Sequence, residues 1–249
     1  MSISYNPPRY LLRRFEILRH LKPGQRFIEI AAGNLKLSRD LLRYFQRGTA
    51  LDYSQFIEAI YHQLPQAERE RLQLVVGDLF EAKLDADYDC VVACEVMEHV
   101  QDDAAFLQKL RSLLSPSGQL ILSVPSRMKY WSVHDEIVGH LRRYEKDQLI
   151  QLLKNNGFSH IEVLSYGFPF INVLRWLRVL LAKKQEARKR QWTQRQQNED
   201  SGVHHASQGF DFLGLFVNRF SLAIPAWVAS WFTALDLSDG YIVIATKSA

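Results

Sequence analysis

Cysteine is nearly missing from this chain: Cys90 and Cys94 are the two among 249 residues. Both lie in the apolar run from Tyr88 to Cys94, where four residues of extended backbone hold them about 13 Å apart. That is beyond disulfide reach, so a reduced, cytoplasmic protein is expected. Long apolar runs are missing too. The longest uncharged stretch, Phe220 to Leu235, has sixteen residues and is broken by Pro225, whereas a bilayer-crossing helix needs about 20. The opening residues, Met-Ser-Ile-Ser-Tyr-Asn-Pro-Pro, carry no apolar core of a secretion signal. No sign of charge dominates, with a net +4 and 23% charged residues, which excludes a disordered polyelectrolyte. With 47% hydrophobic residues, the chain can bury one full core.

What is present alternates. Pro7-Pro8 open a helix at a position that tolerates proline, and Tyr10, Leu11, Phe15, Leu18 and Leu21 recur along it at helical spacing. Arg26 to Ile30 is a short buried strand, followed by a turn at Gly33 and a helix rising from Leu35 through Leu37, Leu41, Leu42 and Phe45. Ala50 to Asp52 is the tip of a second strand, Gln55 to Tyr61 a helix, Leu72 to Val76 a third strand and Tyr88 to Cys94 a fourth. A helix over Asp103 to Leu114 stops at Ser115-Pro-Ser-Gly118. A strand over Gln119 to Val124 and a helix over Lys146 to Asn156 follow. Strands alternating with helices predict a doubly wound, mostly parallel α/β sheet. Phe158 to Tyr166 and Gly240 to Thr246 read as two further strands. Their pairing would make residues 167–236 a helical insertion before the last strand, within a domain of residues 1–166 and 237–249. No internal repeat is found.

Glycine is scarce where it matters most. The stretch Arg26-Phe-Ile-Glu29-Ile-Ala31-Ala-Gly33-Asn-Leu35 places an acid near the carboxyl end of the first strand, before a turn with one glycine. Ligands of open α/β sheets bind outside the carboxyl ends of the strands. Asp52 and Asp78 end the second and third strands, so three acids close three successive strands. In this pattern the chain resembles the class I S-adenosylmethionine-dependent methyltransferases, near the ubiquinone-type O-methyltransferases. The resemblance covers about Arg26 to Tyr166 plus the final strand, and implies a seven-stranded Rossmann-like sheet. It implies that Glu29, Ala31 and Gly33 meet the amino-acid end of S-adenosylmethionine. It also implies that Asp52, with Tyr53 beside it, takes the ribose hydroxyls, and that Asp78 and Leu79 meet the adenine, with Cys94 lining the same site. Ala31 and Leu35 stand where the family usually has glycine, and Leu35 is expected to add bulk where backbone approaches the ligand.

The segment after the fourth strand is Cys94-Glu95-Val-Met-Glu98-His99, with its acids and histidine at i, i+3 and i+4. One helical turn would set all three on one face. Such a face could hold a divalent metal or position His99 as a general base. Glu95, His99 and, from the later run His134 to Tyr144, His140 are the candidate catalytic residues. Arg142 and Arg143 could orient an anionic substrate or pair with surface carboxylates. Glu95, Glu98, His99 and His140 also follow the order of the metal site in RNA 3′-end 2′-O-methyltransferases. A divalent metal is the less favoured use of these donors.

Between Ile171 and Glu199, eight basic residues face two acids, and residues 168–184 mix apolar, tryptophan and basic side chains. Segment 168–235 is therefore expected to touch a membrane surface or a lipid-like acceptor, or to pack as core or dimer helices. The basic run has few interleaved aromatics, which argues against nucleic acid. The expected activity is methyl transfer to a small-molecule or lipid-linked acceptor, at oxygen. A scaffold that keeps the fold without catalysis is the rival from another class.

Overall fold

Apolar runs of five to eight residues, too short for a helix to bury, pair instead as strands of one sheet. A computed structural model describes residues 6–175, 179 and 221–248. Helix α1 is Pro8–His20; β1 is Gly24–Ile30, α2 Lys36–Leu41, β2 Phe45–Asp52, α3 Phe56–His62, α4 Gln66–Arg69, β3 Leu72–Val76 and β4 Tyr88–Cys94. Then come α5 Asp103–Leu113, β5 Leu114–Pro125, α6 Val133–Val138, α7 Lys146–Asn155, β6 Phe158–Ser165, α8 Ala223–Ser230 and β7 Gly240–Lys247. The seven strands lie in the order β3-β2-β1-β4-β5-β7-β6. β3, β2, β1, β4 and β5 run parallel. β7 is antiparallel to β6, since Ser248 N–H donates to the Gly157 carbonyl at one end and Tyr166 N–H to the Gly240 carbonyl at the other. The expected doubly wound sheet is the one found. Among the described residues, no helix is long and apolar enough to cross a membrane.

One boundary moved. Ser115 to Gly118 do not end the element but lie inside β5, where Leu114 pairs with Tyr88 across a register shift. A strand interrupted by Pro116 and Gly118 reads as a stop in sequence, because the bulge that absorbs those residues needs its partner strand. Most of the expected insertion, residues 176–178 and 180–220, lies outside the described residues.

The chain divides into two compact units. One holds residues 20–123, 147–162 and 243–249; the other holds residues 1–19, 124–146 and 163–242. In the first, Phe27 on β1 is buried and packs at 5.4 Å on Phe45 of β2. A Cβ at Gly48 would come within 2.1 Å of the Phe27 ring, so this position in β2 admits only glycine. The turn after β1 sits between these strands and α2. Ala31, Gly33 and Leu35 have φ of 56°, 53° and 59°, all left-handed. A side chain there costs about 1–2 kcal/mol. At Leu35 the cost is met by burial: its side chain is 0% exposed, and burying a leucine stabilises by roughly 1.5–3 kcal/mol.

The second unit is held by a buried ionic cluster. Asp135 in α6 is fully buried and caps its own helix, accepting from Ser132 N–H at 2.9 Å and Ser132 Oγ at 3.0 Å. Its other oxygen takes His140 Nδ1 at 2.9 Å and Arg143 Nε at 2.8 Å. Arg143, itself buried, also donates to the carbonyls of Ser126 and Asp239. Burial alone would push the Asp135 carboxyl up, but the His140 hydrogen bond and the Arg143 charge overcome it and hold the group well below the usual carboxylate range.

Three stability outcomes follow from these contacts. Ala31→Gly is expected to change unfolding free energy by less than about 1 kcal/mol, because lost backbone strain and gained chain entropy oppose. Leu35→Gly is expected to lower it by about 1–4 kcal/mol, the buried side chain outweighing the relieved strain; urea unfolding measures both. Asp135→Asn is expected to cost about 3–5 kcal/mol at neutral pH by stranding the buried Arg143 charge. Because the folded pKa of Asp135 is depressed, its contribution is full above the unfolded value of about 4 and is lost progressively as pH falls from there through the folded value. The gap between wild type and variant in guanidinium unfolding should therefore narrow from pH 7 to pH 3.

Candidate functional site

At the carboxyl ends of β1, β2 and β3 the backbone converges on one carboxylate. Asp52, the last residue of β2, is buried and accepts Gly33 N–H at 2.7 Å on one oxygen and Ser54 N–H at 2.9 Å on the other. Its carbonyl takes Gly77 N–H, and the Leu51 carbonyl takes Ala32 N–H. Burial pushes the Asp52 carboxyl up, while the N–H donors of Ser54, Gly33 and Tyr53 pull it the other way. Glu29 on β1 is also buried, and Ser38 Oγ in α2 donates to it. That contact pins the helix to the strand and supplies the partner a buried acid requires.

Asp78 follows β3 and is exposed. One of its oxygens accepts Phe80 N–H at 2.7 Å, which rounds the turn, and Leu79 beside it is buried. A Cβ at Gly77 would meet no atom within 4 Å, so this strand end opens on space. Buried Asp52, exposed Asp78 and that open space suit a ligand with vicinal hydroxyls and a flat apolar ring bearing an amine. The residues present therefore fit S-adenosylmethionine. Leu35 corrects an expectation. A side chain lining a ligand cleft would keep some exposure, but Leu35 keeps none, so its bulk lies in the core rather than against the ligand.

The turn after β4 differs from the expected helical face. Glu95 has φ of 56° and its N–H donates to the Ser123 carbonyl, so the chain leaves β4 by a left-handed step. Only Met97–His99 then close a single turn of the tighter three-residue helix. Glu95 is thus outside the turn, and its carboxylate accepts Ser123 Oγ at 3.0 Å. Glu98 is fully buried, whereas His99 and Cys94 are half-buried. The i, i+3, i+4 spacing does not make one helical face because the left-handed step at Glu95 precedes the turn, which begins only at Met97. Tyr53, half-buried, adjoins Asp52 in sequence and follows β2.

His140, in the other unit, is held by Asp135. A carboxylate at Nδ1 favours the tautomer with the proton on that nitrogen. Arg143 is not a surface or substrate-facing cation: it is buried against Asp135. The partners that complete these groups, Ser38, Ser54, Ser123 and Asp135, were not picked out as site residues.

Comparison with known proteins agrees with this geometry. Residues 4–163 match the family model described as a methyltransferase domain. A probable S-adenosylmethionine-dependent methyltransferase of Mycolicibacterium smegmatis is 30% identical over 160 residues, 60% of each chain. The mitochondrial ubiquinone biosynthesis O-methyltransferase of Schizosaccharomyces pombe is 30% identical over 107 residues, 42% of this chain and 39% of that one. The chain spans at most 60% of the length of these relatives. Among solved structures, Haemonchus contortus phosphoethanolamine N-methyltransferase 2 with S-adenosyl-L-methionine superposes at a TM-score of 0.57. It shares 18% identity over 95% of this chain and 52% of its own, a likeness of fold. The family match covers more than half of the chain: it belongs to the methyltransferase-domain family, in the class I S-adenosylmethionine-dependent group.

Proposed function

We propose that this protein transfers the methyl group of S-adenosylmethionine to an oxygen of a small-molecule or lipid-linked acceptor. The observation that carries the reading is the Asp52 junction: a buried carboxylate fixed by the N–H groups of Gly33 and Ser54 at the mouth of three parallel strands. Asp52 would hold the ribose hydroxyls and Asp78 the adenine amine, with Leu79, Tyr53 and Cys94 around them. The turn at Ala31 and Gly33, backed by Glu29, would hold the amino-acid end. The cofactor supplies an activated methyl on a positive sulfur, so a nucleophile aligned in line needs little further assistance.

What the chain must add is orientation and a place for the acceptor's proton. His99, half-buried on the turn after β4, has an imidazole suited to accept that proton near neutral pH. Glu95, held by Ser123, shapes the same turn. His140, with its Nδ1 on Asp135, is the second candidate base. The likeness to a ubiquinone biosynthesis O-methyltransferase supports oxygen as the acceptor atom. A scaffold without catalysis would keep the fold, yet it has no need of a buried carboxylate beside an open strand end.

Asp52→Asn is expected to weaken S-adenosylmethionine binding about tenfold or more in calorimetry, one hydrogen-bonding oxygen being lost, with far-UV circular dichroism unchanged. Wild-type protein that takes up no cofactor at millimolar concentration would favour the scaffold. His99→Ala is expected to bind the cofactor as wild type does and to lose most transfer of labelled methyl to a panel of phenolic, quinol and lipid hydroxyl acceptors. Transfer at the wild-type rate removes His99 from the mechanism.

A further inference from the structure

An exposed apolar surface lies on the second unit. Helix α8 carries no charge, and it turns Ile224, Trp227 and Trp231, at i, i+3 and i+7, to one side. These are 73%, 53% and 63% exposed, and the two indole rings meet edge-on at 4.4 Å. Leu235 and Leu237 follow the helix in the chain and are exposed as well. Large apolar side chains gathered in this way mark a surface that meets something.

Cations gather beside Leu237. The Leu237 carbonyl accepts Tyr130 Oη at 3.0 Å and Asn172 Nδ2 at 2.8 Å, which brings residues 128–130 and 172–175 alongside it. Lys129 and Arg175 sit 5.1 and 4.9 Å from the Tyr130 ring centroid. Arg127 belongs to the same group and pairs with Asp236. An indole pair with aliphatic neighbours, edged by lysine and arginine, matches the layer of a bilayer where apolar chains give way to headgroups. A helix of eight residues is about 12 Å long and cannot span. It can lie flat.

We propose that this face docks on an anionic lipid bilayer, with Ile224, Trp227 and Trp231 entering the headgroup boundary and Lys129 and Arg175 meeting lipid phosphates. Charge complementarity selects the bilayer over a second copy of the chain, because two copies would bring the same cations together. The net charge of +4 and the basic run between Ile171 and Glu199 have the same sign. The inference stands apart from the methyl-transfer reading and does not need it.

The test is co-sedimentation of the full chain with vesicles of phosphatidylcholine alone and mixed with phosphatidylglycerol. Binding is expected to the mixed vesicles at low salt, with tryptophan emission moving to the blue, and to weaken as salt screens the cations. Trp227→Ser with Trp231→Ser is expected to lower affinity about tenfold or more, with the thermal midpoint unchanged. Ile224→Asp, at the most exposed position, should lower it without touching the indole pair. Lys129→Glu should weaken binding to the mixed vesicles only. Wild type left in the supernatant overturns the proposal, and so does equal binding by the variants. Sedimentation equilibrium showing a wild-type dimer that Trp231→Ser dissociates also overturns it, assigning the face to a second copy.

Discussion

The Asp52 carboxylate is the constraint on which the cofactor end of this molecule depends. Its oxygens hold Gly33 N–H after β1 and Ser54 N–H after β2, and its carbonyl takes Gly77 N–H beside Asp78. Three strand ends are thereby set by one residue. A free carboxylate at this position would be costly to bury. Its donors come from backbone N–H groups, so the carboxylate is held in one direction, while Asp78 rounds the neighbouring turn by accepting Phe80 N–H.

Around that junction, backbone shape proves more restrictive than residue type. Ala31 and Leu35 adopt the left-handed conformation normally left to glycine. Leu35 recovers the cost through a fully buried side chain, so the missing glycine changed the core and left the ligand side alone. The second unit is stabilised differently. There Asp135 and Arg143 form a buried ion pair, joined by His140 and completed by Ser132 and the carbonyls of Ser126 and Asp239. Such a cluster positions a loop firmly, and its stability depends on every member being present.

Much of the fold was legible from pattern. Apolar runs such as Leu72 to Val76 and Tyr88 to Cys94 could only be strands between helices, and the acids at Glu29, Asp52 and Asp78 could be placed at strand ends by counting. The misreadings have one cause. Gln119 to Val124 was too short for β5 because the bulge at Ser115 to Gly118 is stabilised by Tyr88, far away in sequence. Glu95 to His99 looked like a helical face because periodicity presumes 3.6 residues per turn, whereas the strand ends in a left-handed step held by Ser123. Arg143 looked exposed because nothing local announces that Asp135 is buried beneath it.

The sequence by itself determined the alternation of strands and helices, the order of the acids and the family they belong to, since these follow from residue type at short range. Tertiary structure decided the direction of each side chain. It turned Leu35 into the core, joined Glu29 to Ser38, tied Glu95 to Ser123, buried Asp135 under Arg143 and left Trp227 and Trp231 outside. The reason is physical: burial and hydrogen bonding are settled when elements meet on folding, so even partners a few residues apart, such as Glu29 and Ser38, are not joined by periodicity or residue type alone.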